Sequence, residues 1–229
     1  MVVGGLQKFT LTDFPGRLAA IVFTRGCNFR CPYCHNPELV DPERYAGPVD
    51  DTELFSFLES RAAKLDGVVV TGGEPTIHRD LAELLHRIKA LGLAIKLDTN
   101  GSAPHVIGEL VEEGLLDYIA MDIKSSPRCY PRATGVQADA MEVRKSVELI
   151  AASSIPHELR LTYLEALVPD EELAGVAELA RGCRHFVVQP FQPSKALDPL
   201  LLREARPTVE KLERVRALLE TMGLPAVLR

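Results

Sequence analysis

Three of the chain's five cysteines lie close together, as Cys27, Cys31 and Cys34 in the stretch Gly26-Cys27-Asn28-Phe29-Arg30-Cys31-Pro32-Tyr33-Cys34-His35-Asn36. Three residues separate the first pair and two the second. Spacing this tight lets three thiolates converge on one point without help from the rest of the fold. Soft sulfur ligands favour zinc or an iron–sulfur cluster. A structural zinc site needs four closed ligands, and a cubane normally takes four cysteines. Two completions stay open. His35 beside Cys34 would complete a zinc site of three cysteines and one histidine. Alternatively, a cubane on three cysteines leaves one iron open to a substrate or cofactor. A disulfide framework does not suit a long chain with an odd number of cysteines. The start, Met1-Val2-Val3-Gly4-Gly5, also lacks the basic and long apolar regions of a secretory signal. Cys129 and Cys183 each stand alone in the sequence and read as ordinary thiols, small hydrophobes by habit.

The elements that must position this loop follow from the apolar pattern. Residues 18–24, 67–71, 93–97, 118–121, 158–165 and 186–188 are short apolar or alternating runs and read as strands. Helical spacing appears over residues 52–64, 80–91, from Pro104 to the stop at Gly114, over 139–152, from Asp170 as a cap through Ala180, and over 207–222. The sum is six strand–helix units in strict alternation, without a break in composition, which implies a parallel sheet. Six units are too few for the eight-stranded closed barrel. An open doubly wound sheet and a partial barrel both remain. The expectation is a single domain over residues 1–229.

Every unusual motif follows a strand, and in parallel α/β folds ligands bind at the carboxyl ends of strands. The cysteine loop follows strand one. Gly72-Gly73-Glu74-Pro75 follows strand two, and its glycines let backbone approach a ligand; the plain alternative is a tight turn. Asp98-Thr99-Asn100-Gly101 follows strand three. Asp98 is placed to take hydroxyls or a cation and Asn100 to donate hydrogen bonds, although Asn-Gly is also a routine turn. Asp122-Ile123-Lys124 follows strand four, with Asp122 and Lys124 on one side by alternation; the alternative is a surface ion pair. Arg160 lies on strand five, and Gln189 and Gln192 follow strand six in what is otherwise a polar loop.

The cysteine spacing, with aromatic Tyr33 before the last cysteine, resembles the signature of the radical S-adenosylmethionine (SAM) enzymes. The longer string from Gly26 through Pro37 is similar to their glycyl-radical-activating branch, and the resemblance runs through almost the whole chain. It implies an α/β fold of the partial (β/α)6 barrel type. It implies a [4Fe-4S] cluster whose three irons are held by Cys27, Cys31 and Cys34, with the fourth iron chelating the amino and carboxylate groups of SAM. One electron would then split SAM to methionine and a 5′-deoxyadenosyl radical, and the three cysteines would act in catalysis through the cluster. The resemblance assigns SAM binding to Tyr33, Gly72, Gly73, Glu74, Asp98, Asn100, Asp122, Lys124, Arg160 and Gln189. Backbone at Gly72-Gly73-Glu74-Pro75 would meet the SAM amino group, Lys124 and Arg160 its carboxylate. Asp98 and Asp122 would also hold a monovalent cation. His35 and Asn36 would shape the cluster loop from outside the ligand set.

The function so implied is that of an activating enzyme, which takes a hydrogen atom from one glycine of a large partner. The opening Gly4-Gly5-Leu6-Gln7-Lys8-Phe9 and Asp13-Phe14-Pro15-Gly16 resemble activators of anaerobic ribonucleotide reductase, which makes that reductase the expected partner. Pyruvate formate-lyase or another glycyl-radical enzyme is the alternative partner, and flavodoxin or ferredoxin the expected electron donor. A small-molecule enzyme such as a 7-carboxy-7-deazaguanine synthase, and a non-catalytic zinc-binding module, are further alternatives. A formal net charge of −6 gives no electrostatic case for nucleic acid. No apolar run approaches a membrane span, and the expected location is the cytoplasm, where thiols stay reduced.

Overall fold

The computed structural model describes residues 1–229. Its first strand is one that the apolar pattern hides. β1 (Val3–Thr10) contains two glycines and buries only its ends, Val3 and Thr10. It pairs antiparallel with β2 (Ala19–Thr24), from Val3 opposite Thr24 to Thr10 opposite Ala19, with a bulge on each side of the central pairs. Glycine and exposed Gln7 and Lys8 weaken both signals by which a strand is read, propensity and alternation. The all-parallel expectation therefore fails at this edge.

From β2 onward the expected units appear. A short helix α1 (Pro37–Val40) follows the cysteine loop, then α2 (Asp51–Arg61), β3 (Gly67–Gly72), α3 (Leu81–Ala90), β4 (Ala94–Thr99), α4 (Pro104–Glu112) and β5 (Tyr118–Asp122). After these come α5 (Tyr130–Thr134), α6 (Ala140–Ala152), β6 (His157–Tyr163), α7 (Leu173–Leu179), β7 (Phe186–Pro190), α8 (Val209–Thr221) and β8 (Ala226–Leu228). Strand order follows chain order. β2 pairs parallel with β3 and β3 with β4, and β6 pairs parallel with β7 and β7 with β8. Strands buried on both faces read as continuous apolar runs, which is why β2, β3 and β7 were legible. α5 and β8 were not expected: the first has five residues and the second three, too short for a period to show.

The chain forms two compact units. The first comprises Met1–Asn28, Glu38–Thr99 and His105–Ile119, and the second Phe29–Pro37, Asn100–Pro104 and Ala120–Arg229. In the first, Phe14 packs with Ala19, Ile21, Val69 and Ala94, flanked by Phe23 and Tyr118. Leu54, Phe55 and Leu58 of α2 and Leu81, Leu84, Leu85 and Ile88 of α3 are buried at helical spacing. In the second, Val143, Val147 and Ile150 of α6 and Leu212, Val215 and Leu219 of α8 are buried likewise. Side chains cap the helix starts: Asp50 accepts from Thr52 N, Asp139 from Met141 N and Thr208 from Lys211 N. Asp170 does not cap, contrary to expectation. It opens a single 3-10 turn ahead of α7, and its carboxylate takes Lys211 at 3.1 Å and Arg214 at 3.2 Å instead. Cys183 is a buried thiol that donates to His185 O at 3.0 Å, and no cysteine forms a disulfide. No helix is long and apolar enough to cross a membrane.

The short strand β8 is held by more than its ladder. Arg229 N donates to Val188 O at 3.1 Å, and the Arg229 guanidinium forks onto both oxygens of Glu158 at 3.1 and 2.6 Å. Glu158 is 2% exposed, whereas the Arg229 side chain is half exposed. Water at the arginine weakens the pair relative to a fully buried one, but its loss still takes two hydrogen bonds from a buried carboxylate. Arg229→Ala is therefore expected to lower stability by about 2 kcal/mol, read as a fall in the urea midpoint followed by circular dichroism.

Candidate active site

The first unit carries Cys27 and the loops after β2, β3 and β4. The β2–β3 ladder continues beyond its last pair, Thr24 opposite Gly72. Gly73 N donates to Thr24 O at 2.9 Å and Glu74 N to Gly26 O at 2.8 Å. Gly72 sits at φ 119°. A side chain on Gly73 would place its Cβ 1.9 Å from Gly26 O. Only glycine allows this approach, so the Gly-Gly pair lays backbone directly against the start of the cysteine loop. Gly26 N in turn donates to Leu39 O at 2.7 Å. Cys27 is half-buried.

Glu74 is 1% exposed and turns inward. Its Oε1 accepts from Thr76 N at 3.0 Å, Thr76 Oγ1 at 2.6 Å and Thr99 Oγ1 at 2.7 Å. The carboxylate thereby ties the loop after β3 to the end of β4. Asp98 accepts a hydrogen bond from Lys96 Nζ, two residues earlier on the same face of β4. Lys96 is 2% exposed. Sequence reasoning missed both Thr99 and Lys96, although a lone lysine two residues before an aspartate in an apolar strand was a usable signal.

The second unit carries Cys31, Cys34 and the loops after β5, β6 and β7. Cys34 N donates to Cys31 O at 3.0 Å in a tight turn. Three supports hold that turn. Arg30 N donates to Thr134 O at 2.7 Å, so α5 is the element that fixes the loop's near side. Phe29 meets the fully buried Tyr130 edge-on, centroids 6.4 Å apart. On the far side His35 stacks on Phe191 at 5.6 Å and its Nδ1 lies 3.1 Å from Lys195 O, while Asp198 N donates to Pro32 O at 2.9 Å. Burial lowers the pKa of His35, the Lys195 carbonyl opposing it. Burial also pushes the Cys31 thiol up to about 11, with the Lys124 charge acting against it.

Behind the cysteines lies a line of charge. Asp122 accepts from Lys124 Nζ at 2.9 Å and from Arg160 Nε at 2.8 Å, and Ile123 N donates to Arg160 O at 2.8 Å. Burial disfavours the Asp122 charge, but Arg160 and Lys124 outweigh it and hold the carboxyl well below its usual range. Lys124 Nζ also lies 5.8 Å above the Tyr33 ring. Tyr33 is buried, and its hydroxyl has no hydrogen-bond partner. Buried hydroxyls are normally paired, so this one is suited to a bound ligand. Asn100 is turned to the chain, its Oδ1 accepting from Ser102 N at 2.9 Å. Gln189 donates to Thr162 Oγ1 at 3.0 Å, its neighbour across β6 and β7. The expected same-side placement of Asp122 and Lys124 is thus present, the two are paired as the plain alternative had it, and Arg160 joins them from β6.

In the second unit, the Cys31 and Cys34 thiols on a tightly braced turn and the orphaned Tyr33 hydroxyl suit an iron–sulfur group with a small polar ligand, although no three cysteine, histidine or carboxylate side chains are gathered into a metal-holding set. The sequence pattern of the Radical SAM superfamily matches residues 21–182. The chain belongs to the radical SAM superfamily, and that membership implies a [4Fe-4S] cluster and SAM. It is 31% identical over 202 residues to a protein of Methanocaldococcus jannaschii that bears the name glycyl-radical enzyme activating enzyme, covering 86% of this chain and 82% of the relative. It is 31% identical over 152 residues to a GTP 3′,8-cyclase of Pyrococcus horikoshii, covering 66% of this chain but 48% of the relative. A 7-carboxy-7-deazaguanine synthase of Methanopyrus kandleri is 32% identical over 200 residues, 78% of this chain and 73% of the relative. Among solved structures, Streptococcus suis SuiB bound to precursor peptide SuiA superposes with a TM-score of 0.67 at 12% identity, over 91% of this chain and 48% of that one. That likeness is one of fold, and it agrees with the expected radical SAM type of α/β fold.

Thr99→Val removes one of three donors to a buried carboxylate oxygen while keeping the strand's shape. A loss of about 2 kcal/mol in unfolding free energy is expected, measured by urea titration.

Proposed function

We propose that this chain is a radical SAM activase that generates a glycyl radical on a partner enzyme. The observation that carries the reading is agreement in length as well as in sequence. The match to the named activating enzyme spans 82% of that protein, whereas the match to the cyclase spans about half. The family match covers residues of both compact units, which supports reading 1–229 as one radical SAM domain. In this reading Cys27, Cys31 and Cys34 would hold three irons of a [4Fe-4S] cluster, which when reduced would supply the one electron for cleavage of SAM to methionine and the radical that takes a hydrogen atom from the partner's glycine.

The chain's own residues bind and orient. Backbone at Gly72, Gly73 and Glu74 receives the SAM amino group, a role suited to the close approach at Gly26. The Glu74 side chain serves that backbone rather than the ligand. Lys124 and Arg160, held by Asp122, present positive charge to the SAM carboxylate. Tyr33 offers its hydroxyl, and Asp98, Asn100 and Gln189 border the adenosine. The partner is anaerobic ribonucleotide reductase, a choice that rests on the amino-terminal strings, and the electron donor is a flavodoxin or ferredoxin of the cytoplasm. A second reading, 7-carboxy-7-deazaguanine synthesis, is favoured by the 73% coverage of that relative.

Protein reconstituted anaerobically with iron and sulfide, reduced and given SAM is expected to form 5′-deoxyadenosine. Cys27→Ala should abolish both cluster and product. His35→Ala should keep the cluster, because His35 braces the loop from Phe191 and Lys195; loss of all metal in that variant would revive the zinc reading. A glycyl-radical doublet in electron paramagnetic resonance on added reductase identifies the partner. Formation of 7-carboxy-7-deazaguanine without any glycyl radical would replace the activase reading by the second.

A further inference from the structure

The resemblance assigns a monovalent cation to Asp98 and Asp122, and the residues around them do not fit one. Each carboxylate already holds cations of the chain. Asp122 lies between Lys124 and Arg160 at 2.9 and 2.8 Å. Asp98 holds the ammonium of Lys96, whose side chain is 2% exposed against 15% for Asp98 itself. Lys96 pairs in register with Val69 of β3, and its Nζ lies 5.9 Å from the Tyr118 ring. A lysine in such surroundings is unfavourable unless paired. An apolar residue would suit the strand better, so the residue type is explained by Asp98. A carboxylate neutralised at contact distance lacks the charge that would draw a free Na+ or K+, and a second cation beside a buried ammonium meets repulsion that low dielectric strengthens.

We infer that Lys96 is a built-in ammonium standing where the resemblance puts a monovalent cation, positioning Asp98 so that SAM binding does not depend on Na+ or K+. The inference rests on the proposed SAM-binding role of Asp98, and Lys96 acts through that residue. The test is the SAM dissociation constant of the reconstituted holoprotein, by isothermal titration calorimetry, in choline chloride, NaCl and KCl at equal ionic strength. The wild type should vary within about twofold, and Lys96→Met should lose roughly tenfold or more in choline, the scale of one charge-assisted hydrogen bond, and regain it in KCl. Lys96→Arg should stay independent of the salt. A wild-type affinity that rises about tenfold with Na+ or K+ over choline overturns the inference even if Lys96→Met does not fold. So does a Lys96→Met protein that binds SAM in choline as the wild type does. Failure of the wild type to bind SAM in every salt is a different result, and it removes the SAM reading itself.

Discussion

The constraint on which the rest depends is the contact of backbone with backbone between the loop after β3 and the start of the cysteine loop. Two amide donors, from Gly73 and Glu74, carry the parallel ladder of β2 and β3 out of the sheet and into Gly26. A carbonyl lies where a Cβ on Gly73 would have to be. Steric exclusion makes this contact, and hydrogen bonds hold it. The reactive loop is in this way an extension of the sheet rather than a free excursion from it, which suits a site that must hold a metal group without rearranging.

Around that contact the structure solves one repeated problem, the placing of charge where water is scarce. Glu74 is surrounded by hydroxyl and amide donors. Asp98 has Lys96, Asp122 has Lys124 and Arg160, and Glu158 has Arg229. Lys96 lies two residues before Asp98 on the same strand and Lys124 two residues after Asp122, where alternation puts side chains in reach, while Arg160 comes from β6 and Arg229 from beyond the end of β8. One exception is the Tyr33 hydroxyl, buried without a partner next to the cysteines. An orphaned donor costs stability, and its persistence at this position is consistent with a ligand that satisfies it.

Not all motif residues face the same way. The tetrad Gly72-Gly73-Glu74-Pro75 reads as one binding motif, yet its glycines and its glutamate do different things: the glycines bring the backbone close, and the glutamate anchors the turn to Thr99. Asn100 likewise organises its own turn. The positions with the strongest family resemblance therefore divide into those that can meet a ligand and those that hold the first group in place.

Local order along the chain determined much of this protein. Cysteine spacing is a local property, so the loop was legible in the sequence, as were β2, β3, β4, the motifs at strand ends and the same-side placement of Asp122 and Lys124. Long amphipathic helices such as α6 were also legible, because a 3.6-residue period repeats several times within them. Elements whose reason for existing lies elsewhere in the chain were hidden. β1 is a strand because β2 offers it an edge, α5 is a helix whose Thr134 carbonyl receives Arg30, and β8 is held by Glu158. The Thr99 partner of Glu74 and the Asp122 partner of Arg160 were decided only in three dimensions. Periodicity records which face of an element is apolar, whereas a hydrogen bond or ion pair between distant residues leaves no period, and only packing brings its two ends within reach.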